Sequence, residues 1–191
     1  AAGWAPDSVD LIECHGTGTP TGDAVEIQSM RALWEGISAR CGQCAIGSVK
    51  SMNGHLLTGA GAEGLIKVLL AMRHETLPPS ANYRDHGEAI PLRGSPFRVP
   101  VAPEPWAPRD KQTPRRAAIS AFGFGGINAH VLIEEYHASA SSQGGCLPSA
   151  MFGSPLTDDL NEPIAIVGMG THFGDAATLD NFRRVAFGGE S

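Results

Sequence analysis

Long apolar runs are scarce in this chain: the most apolar stretch, Gly64 to Met72, is broken by Lys67 and falls far short of the roughly 20 residues a bilayer span requires. The opening residues do not read as a secretory signal either. Basic charge is thin: 14 Lys and Arg against 20 Asp and Glu leave a formal charge of −6. No strip of Lys or Arg stands out, which argues against a protein that grips a phosphate backbone and against nucleic acid as a partner. Cysteine is sparse and irregular. Cys14 abuts His15, Cys41 and Cys44 form a C-x-x-C, and Cys146 lies in a loop-like tract. Four such residues do not make a disulfide framework, and a reducing, cytoplasmic setting fits them. The C-x-x-C reads as half a zinc site, a redox pair, or two small residues entering a buried strand. No second ligand pair follows at metal spacing, so no metal site is expected.

An apolar share of 42% is ordinary for a folded domain. Residues 9–14 alternate and are rich in strand formers, with glycine following at position 16, which predicts a strand delivering His15 to a loop. Asp23 is placed to cap a helix over 24–34, with Glu26 completing a capping-box pattern and Val25, Ile27, Met30 and Leu33 on one face. Residues 44–49 predict a second strand, and 59–73 a central buried helix, apolar nearly all round apart from Glu63, Lys67 and Arg73. Residues 78–115 are dense in proline and read as irregular chain with one extended piece near 97–101. Strands at 117–120 and 129–134 flank a glycine turn. Residues 137–161 have linker composition. A fresh strand at 162–170 then runs into glycine, and a helix is expected over 175–187. Gly168-x-Gly170 could open a dinucleotide site, but Phe173 stands where the third glycine belongs.

Three motifs carry the chemistry: His15-Gly16-Thr17-Gly18-Thr19, Lys50-Ser51-Met52-Asn53-Gly54-His55, and Phe122-Gly123-Phe124-Gly125-Gly126-Ile127-Asn128. Two imidazoles near one carbonyl oxygen can stabilise the negative charge of an enolate, and a glycine turn can aim backbone N–H groups at a neighbouring point. His74, His86, His130, His137 and His172 read as ordinary polar side chains, and Trp34 and Met72 as core.

In this order the motifs resemble the C-terminal half of a β-ketoacyl synthase, the condensing domain of fatty acid and polyketide synthases, over roughly residues 9–135. The resemblance implies an α/β thiolase-like fold, of which residues 1–136 are the C-terminal half. Residues 162–191 resemble the start of a second ketosynthase-like domain. The resemblance also implies that His15 and His55 stabilise the enolate of a decarboxylating malonyl thioester, and that Lys50 orients them. It implies that Thr17 and Thr19 bond the phosphopantetheine arm of an acyl carrier protein, and that Phe124, with Gly123 and Gly125 in its turn, gates the acyl pocket and supplies oxyanion N–H. Asn128 closes that turn. No cofactor is expected to bind directly, since the substrates ride on phosphopantetheine.

Bacterial fatty acid enzymes of the family carry glutamate nine residues after the second histidine, where this chain has Gly64, with Glu63 one position earlier. No cysteine here lies in the Cys-Ser-Ser type setting of the family nucleophile. The implied partners are therefore the N-terminal half of the same ketosynthase, an acyl carrier protein, and a second copy or a chain-length-factor partner. A polyketide synthase and a polyunsaturated fatty acid synthase both fit as the parent. The alternative is a non-catalytic chain-length or scaffolding domain. A thiolase is a weaker fit, lacking its second cysteine near the 122–128 turn.

Overall fold

The structure is a computed structural model and describes residues 2–84, 90, 92–110, 113–123, 125–136 and 178–188. Its elements in chain order are β1 (Leu11–Glu13), α1 (Pro20–Leu33), β2 (Cys44–Gly47), α2 (Lys50–Asn53), α3 (Ala60–Arg73), β3 (Thr76–Leu77), β4 (Phe97–Arg98), β5 (Glu104–Pro105), β6 (Arg116–Phe122), β7 (Asn128–Glu134) and α4 (Leu179–Gly188).

Five strands form one sheet in the order β4-β2-β1-β6-β7, parallel except for the antiparallel β6–β7 hairpin. β1 lies in the middle, with Leu11 between Ala45 and Ala117, and all three of its residues are buried. Successive side chains point to opposite faces. Ile12 accordingly joins Ile27, Trp34, Ile46 and Phe97 on the α1 side, while Leu11 joins Val68, Ala71, Met72 and Ile119 on the α3 side. Burial on both faces explains why so short a strand can organise the core.

Close approach sets the small residues of α3. A Cβ on Gly61 would lie 3.1 Å from the Ala121 Cβ, and one on Gly64 only 3.0 Å from the Glu13 Cγ. Side chains there would force the helix or its neighbours on the sheet to give by a few tenths of an ångström.

Four expectations need correction. α1 starts one turn earlier than residue 24, capped by Thr19 and opened by Pro20 rather than capped by Asp23. Its inward stripe is Glu26, Ile27, Met30 and Trp34, whereas Val25 and Leu33 are 55% and 63% exposed. Glu63 and Lys67, read as polar interruptions of α3, are among its most buried residues. The proline-rich stretch is more ordered than expected, because β5 pairs with β3 and Arg109 ties it to Asp10 at 2.6 Å. At the far end, Phe182 and Ala186 of α4 are fully buried, beside Val49 and Leu70 and beside Met52 and Ala81 respectively. The linker expected at 137–161 and the strand expected at 162–170 lie outside the described residues.

Candidate active site

β1 leads directly to the first histidine. The Cys14 N–H donates to the Gly47 carbonyl at 2.7 Å, and the chain then leaves the sheet as the loop 15–19. Glu26, reaching back from α1, closes that loop: its Oε1 accepts the His15 N–H at 2.8 Å and its Oε2 the Gly16 N–H at 2.9 Å. Burial raises the Glu26 carboxyl above its usual range, and the two amide bonds pull it back toward ionisation. Asp23 Oδ1 takes the Gly18 N–H at 3.2 Å. Gly16 has φ +42, and a Cβ there would sit 2.8 Å from the Ser48 Cβ, so the turn demands glycine. Thr19 Oγ1 accepts the Gly22 N–H at 3.2 Å and lies 3.2 Å from Thr17 Oγ1.

The second histidine leaves a single turn of helix gripped from beneath. Glu13 Oε1 accepts the Val49 N–H at 2.6 Å, just ahead of Lys50, while its Oε2 pairs with the buried Lys67 Nζ at 2.7 Å. Asn53, at the other end of α2, donates from Nδ2 to Glu63 Oε1 at 2.9 Å. Gly54 then ends the turn at φ +76 and His55 follows in an exposed position.

The two imidazoles meet at a ring separation of 5.7 Å, edge to face. Phe122, at the end of β6, packs on His15 at 5.3 Å and donates its backbone N–H to His15 Nδ1 at 3.3 Å. Leu57 donates its N–H to His55 Nδ1 at 2.9 Å. In each ring Nδ1 is thus an acceptor, so the proton of the neutral imidazole resides on Nε2. Burial, then the charge of Lys50, then His55, lower the pKa of His15, with Asp23 opposing, which favours that neutral form. The arrangement sets two rings that each carry an Nε2–H donor 5.7 Å apart, which suits an oxygen that gains charge.

The remaining sequence-predicted residues are distributed around this pair. Thr17 and Lys50 line a cavity of about 300 Å³ with Ser51 and Asn82, and neither imidazole borders it. Gly123 and Asn128 lie at the two sides of the hairpin turn, where the Gly123 N–H donates to the Ile127 carbonyl at 2.8 Å and Asn128 pairs with Phe122. Gly125 occupies the turn at φ +83. Phe124, and with it the expected oxyanion N–H, lies outside the described residues. Cys14 is buried, and burial, with Glu26 and Glu13 nearby, pushes its thiol well up. The Cys44 thiol is also raised by burial. Neither buried thiol is prepared to act as a thiolate. Among the described residues no group of three or more His, Cys, Asp or Glu could hold a metal, and no helix is long and apolar enough to cross a membrane.

Sequence reasoning passed over Glu13 and Glu26 as parts of the site, and reached Glu63 only as the residue one position before the glutamate of the bacterial fatty acid enzymes. Opposite charges four residues apart at 63 and 67, on an otherwise apolar helix, were the available signal for a buried polar cluster. Bonds from a carboxylate to loop amides leave no such periodic trace.

Known proteins resemble this chain. Residues 1–84 match the family described as Beta-ketoacyl synthase, C-terminal domain. Polyketide synthase PksN of Bacillus subtilis (strain 168) is 41% identical over 152 residues, 74% of this chain. A polyunsaturated fatty acid synthase chain of Thraustochytrium sp. (strain ATCC 26185 / S-3) is 39% identical over 184 residues, 96% of this chain. The chain spans only 3% and 8% of those two proteins. Among solved structures, the ketosynthase from module 6 of the bacillaene synthase of Bacillus subtilis 168 superposes with a TM-score of 0.67 at 42% identity, covering 70% of this chain and 24% of that one.

Proposed function

From the premise that this chain carries the C-terminal domain of a β-ketoacyl synthase on a thiolase-like α/β fold, we propose that it supplies the enolate-stabilising half of a condensing active site. The reaction is a decarboxylative Claisen condensation of acyl and malonyl thioesters in polyketide or polyunsaturated fatty acid synthesis. One observation carries this reading: two imidazoles 5.7 Å apart, each with Nδ1 occupied by a backbone N–H and Nε2–H left as the donor.

In the proposed step the malonyl carbon–carboxylate bond breaks, its electron pair passes through the α-carbon to the thioester oxygen, and carbon dioxide leaves. His15 and His55 donate Nε2–H to that oxygen as it becomes an enolate. The enolate carbon then attacks the acyl thioester carbonyl. A carbon–carbon bond forms, the carbon–sulfur bond breaks, and a cysteine thiolate of the N-terminal half of the same domain departs. Lys50 contributes charge and orientation. Thr17 and Thr19 bond the phosphopantetheine arm on which an acyl carrier protein presents the malonyl group, although Thr19 already caps α1. Phe124 lines the acyl entrance with Gly123 and Gly125, and Asn128 closes that turn. The working unit is a dimer of such domains or a pair with a chain-length partner.

Residues 162–191 begin a second ketosynthase-like domain in this reading. Its support is the extent of the likeness to the Thraustochytrium synthase, 184 residues against 152 for PksN.

The test is malonyl decarboxylation on the carrier protein by the full-length synthase that contains this segment. His15→Ala and His55→Ala should each lower the rate about 10²–10³-fold, the usual effect of removing one oxyanion donor. Wild-type activity indistinguishable from both variants would instead assign the domain a chain-length or scaffolding role.

A further inference from the structure

Glu63 is fully buried, yet only one of its oxygens is used. Oε1 accepts from Asn53 Nδ2 at 2.9 Å, while Oε2 has no hydrogen-bond partner, the sole buried side-chain polar atom in that condition among the described residues. An unsatisfied buried carboxylate destabilises a fold. An apolar side chain would serve packing better, so packing does not account for Glu63.

What the residue touches does. Asn53 is the last residue of α2, and the chain proceeds from it through Gly54 to His55. Glu13 already fixes the start of the same turn through the Val49 N–H. Without Glu63 the end that carries the imidazole would keep its backbone bonds, from the Asn53 N–H to the Val49 carbonyl at 3.2 Å and from the Gly54 N–H to the Lys50 carbonyl at 3.0 Å, but the Asn53 side chain would lose its anchor. At the neighbouring position a Cβ on Gly64 would lie 3.0 Å from the Glu13 Cγ, so a side chain there would crowd the Glu13 that holds the start of the turn. Burial pushes the Glu63 carboxyl up, and the Asn53 bond, with Lys50 and Lys67, opposes that shift. The Asn53 bond therefore also helps keep the buried acceptor in use.

We propose that Glu63 is a positioning residue for His55, acting through Asn53 to fix the exit of the Lys50–His55 turn. This rests on the condensing-enzyme reading for its catalytic consequence, but the positional claim has its own readout. A misplacement of the imidazole by a fraction of an ångström weakens the donor it offers to the enolate.

The experiment compares Glu63→Leu, Glu63→Gln and Asn53→Ala in the full-length synthase, with three measurements: malonyl decarboxylation, acyl transfer to the upstream cysteine, and exchange of the Leu57 amide that bonds His55 Nδ1. Glu63→Leu should lower decarboxylation about 10-fold or more while acyl transfer stays within about 2-fold, as expected when one catalytic group is misaligned. Thermal stability should be kept or rise, because an unsatisfied buried oxygen is removed. Glu63→Gln, which still offers Oε1 to Asn53, should restore most of the rate, and Asn53→Ala added to Glu63→Leu should cost nothing more. The Leu57 amide should exchange faster in Glu63→Leu than in wild type.

Equal loss in both half-reactions with a lowered melting temperature would make Glu63 a structural residue and overturn the proposal. So would unchanged decarboxylation in an active enzyme, or an unchanged Leu57 exchange rate. Absence of decarboxylation even in wild type, together with faster Leu57 exchange in Glu63→Leu, would overturn the enzymatic reading and leave the positional one standing.

Discussion

His15 and His55 are fixed by different means although their rings lie only 5.7 Å apart. The Nδ1 of His15 is engaged by the Phe122 N–H, 107 residues along the chain, so its ring orientation depends on β6 closing against β1. The Nδ1 of His55 is engaged by the N–H of Leu57, two residues on, whose own backbone is left-handed at φ +52. Beneath the rings the pattern differs again. The first loop is held at its amides by Glu26, while the second is held at both ends of a helical turn by Glu13 and Glu63. One donor is set by tertiary closure, and the other by local geometry on a buried polar base.

The largest way to break that distinction is through Glu13, which serves both sides: it ends β1 just ahead of His15 and holds the turn that leads to His55. Lys67→Met would leave the Glu13 carboxylate, 2% exposed, without its cation. The expected loss is about 3–5 kcal/mol in urea denaturation of the full-length protein, with Glu13→Gln/Lys67→Met recovering part of it. An unchanged midpoint would show that the pair does not support the site.

Glu26→Ala should sharpen the distinction instead. It removes two charge-assisted bonds and strands the His15 and Gly16 amides, for a loss of about 1.5–3 kcal/mol per group left unpaired. Amide exchange should accelerate at residues 15 and 16 and stay unchanged at Leu57. Acceleration at all three positions would mean that the two loops form one cooperative unit.

These anchors also mark what the amino-acid pattern could and could not reveal. β1, β2, α3 and the β6–β7 hairpin were legible because alternation and apolar runs are imposed by burial on the sheet. The histidine loops were legible because glycines at 16 and 54 are dictated by left-handed backbone, and the residue types around them are distinctive. Glu26 was misread as a capping residue because sequence spacing fits both roles, and only the fold shows that its carboxylate turns toward residues 15 and 16. Glu63 and Lys67 were misread because charge normally marks solvent. Inside α3 they are satisfied largely by Asn53 and Glu13, residues no helical period connects to them.

Acid titration probes the first ring. His15 is kept below the ordinary histidine pKa by burial, then by Lys50 and His55. As pH falls below that ordinary value, the unfolded chain takes up a proton that the folded ring refuses. Stability contributed by the neutral ring is present above the unfolded value and lost as pH drops through the lowered folded value. Protonation also places a hydrogen on Nδ1, where it confronts the Phe122 N–H. Lys50→Met should move the His15 titration, followed by ring-proton NMR, to higher pH. A shift to lower pH, or none, would show that Lys50 does not act on His15 through its charge.

The smallest expected effect tests whether His55 depends on backbone or side chain. Leu57 is 70% exposed, so its side chain contributes little packing, while its left-handed conformation is costly for any residue with a Cβ. Leu57→Gly relieves that strain and at the same time adds freedom to the unfolded chain, and the two effects offset to within about 1 kcal/mol. The N–H that bonds His55 Nδ1 is retained, so decarboxylation should fall by no more than about 3-fold, the effect of a looser but intact donor. Leu57→Ile retains the N–H too, but β-branching makes the left-handed backbone harder to hold, and it should lose stability where glycine does not. If glycine at 57 were as damaging as His55→Ala, then the leucine side chain, not the geometry of its backbone, would be what secures the second imidazole.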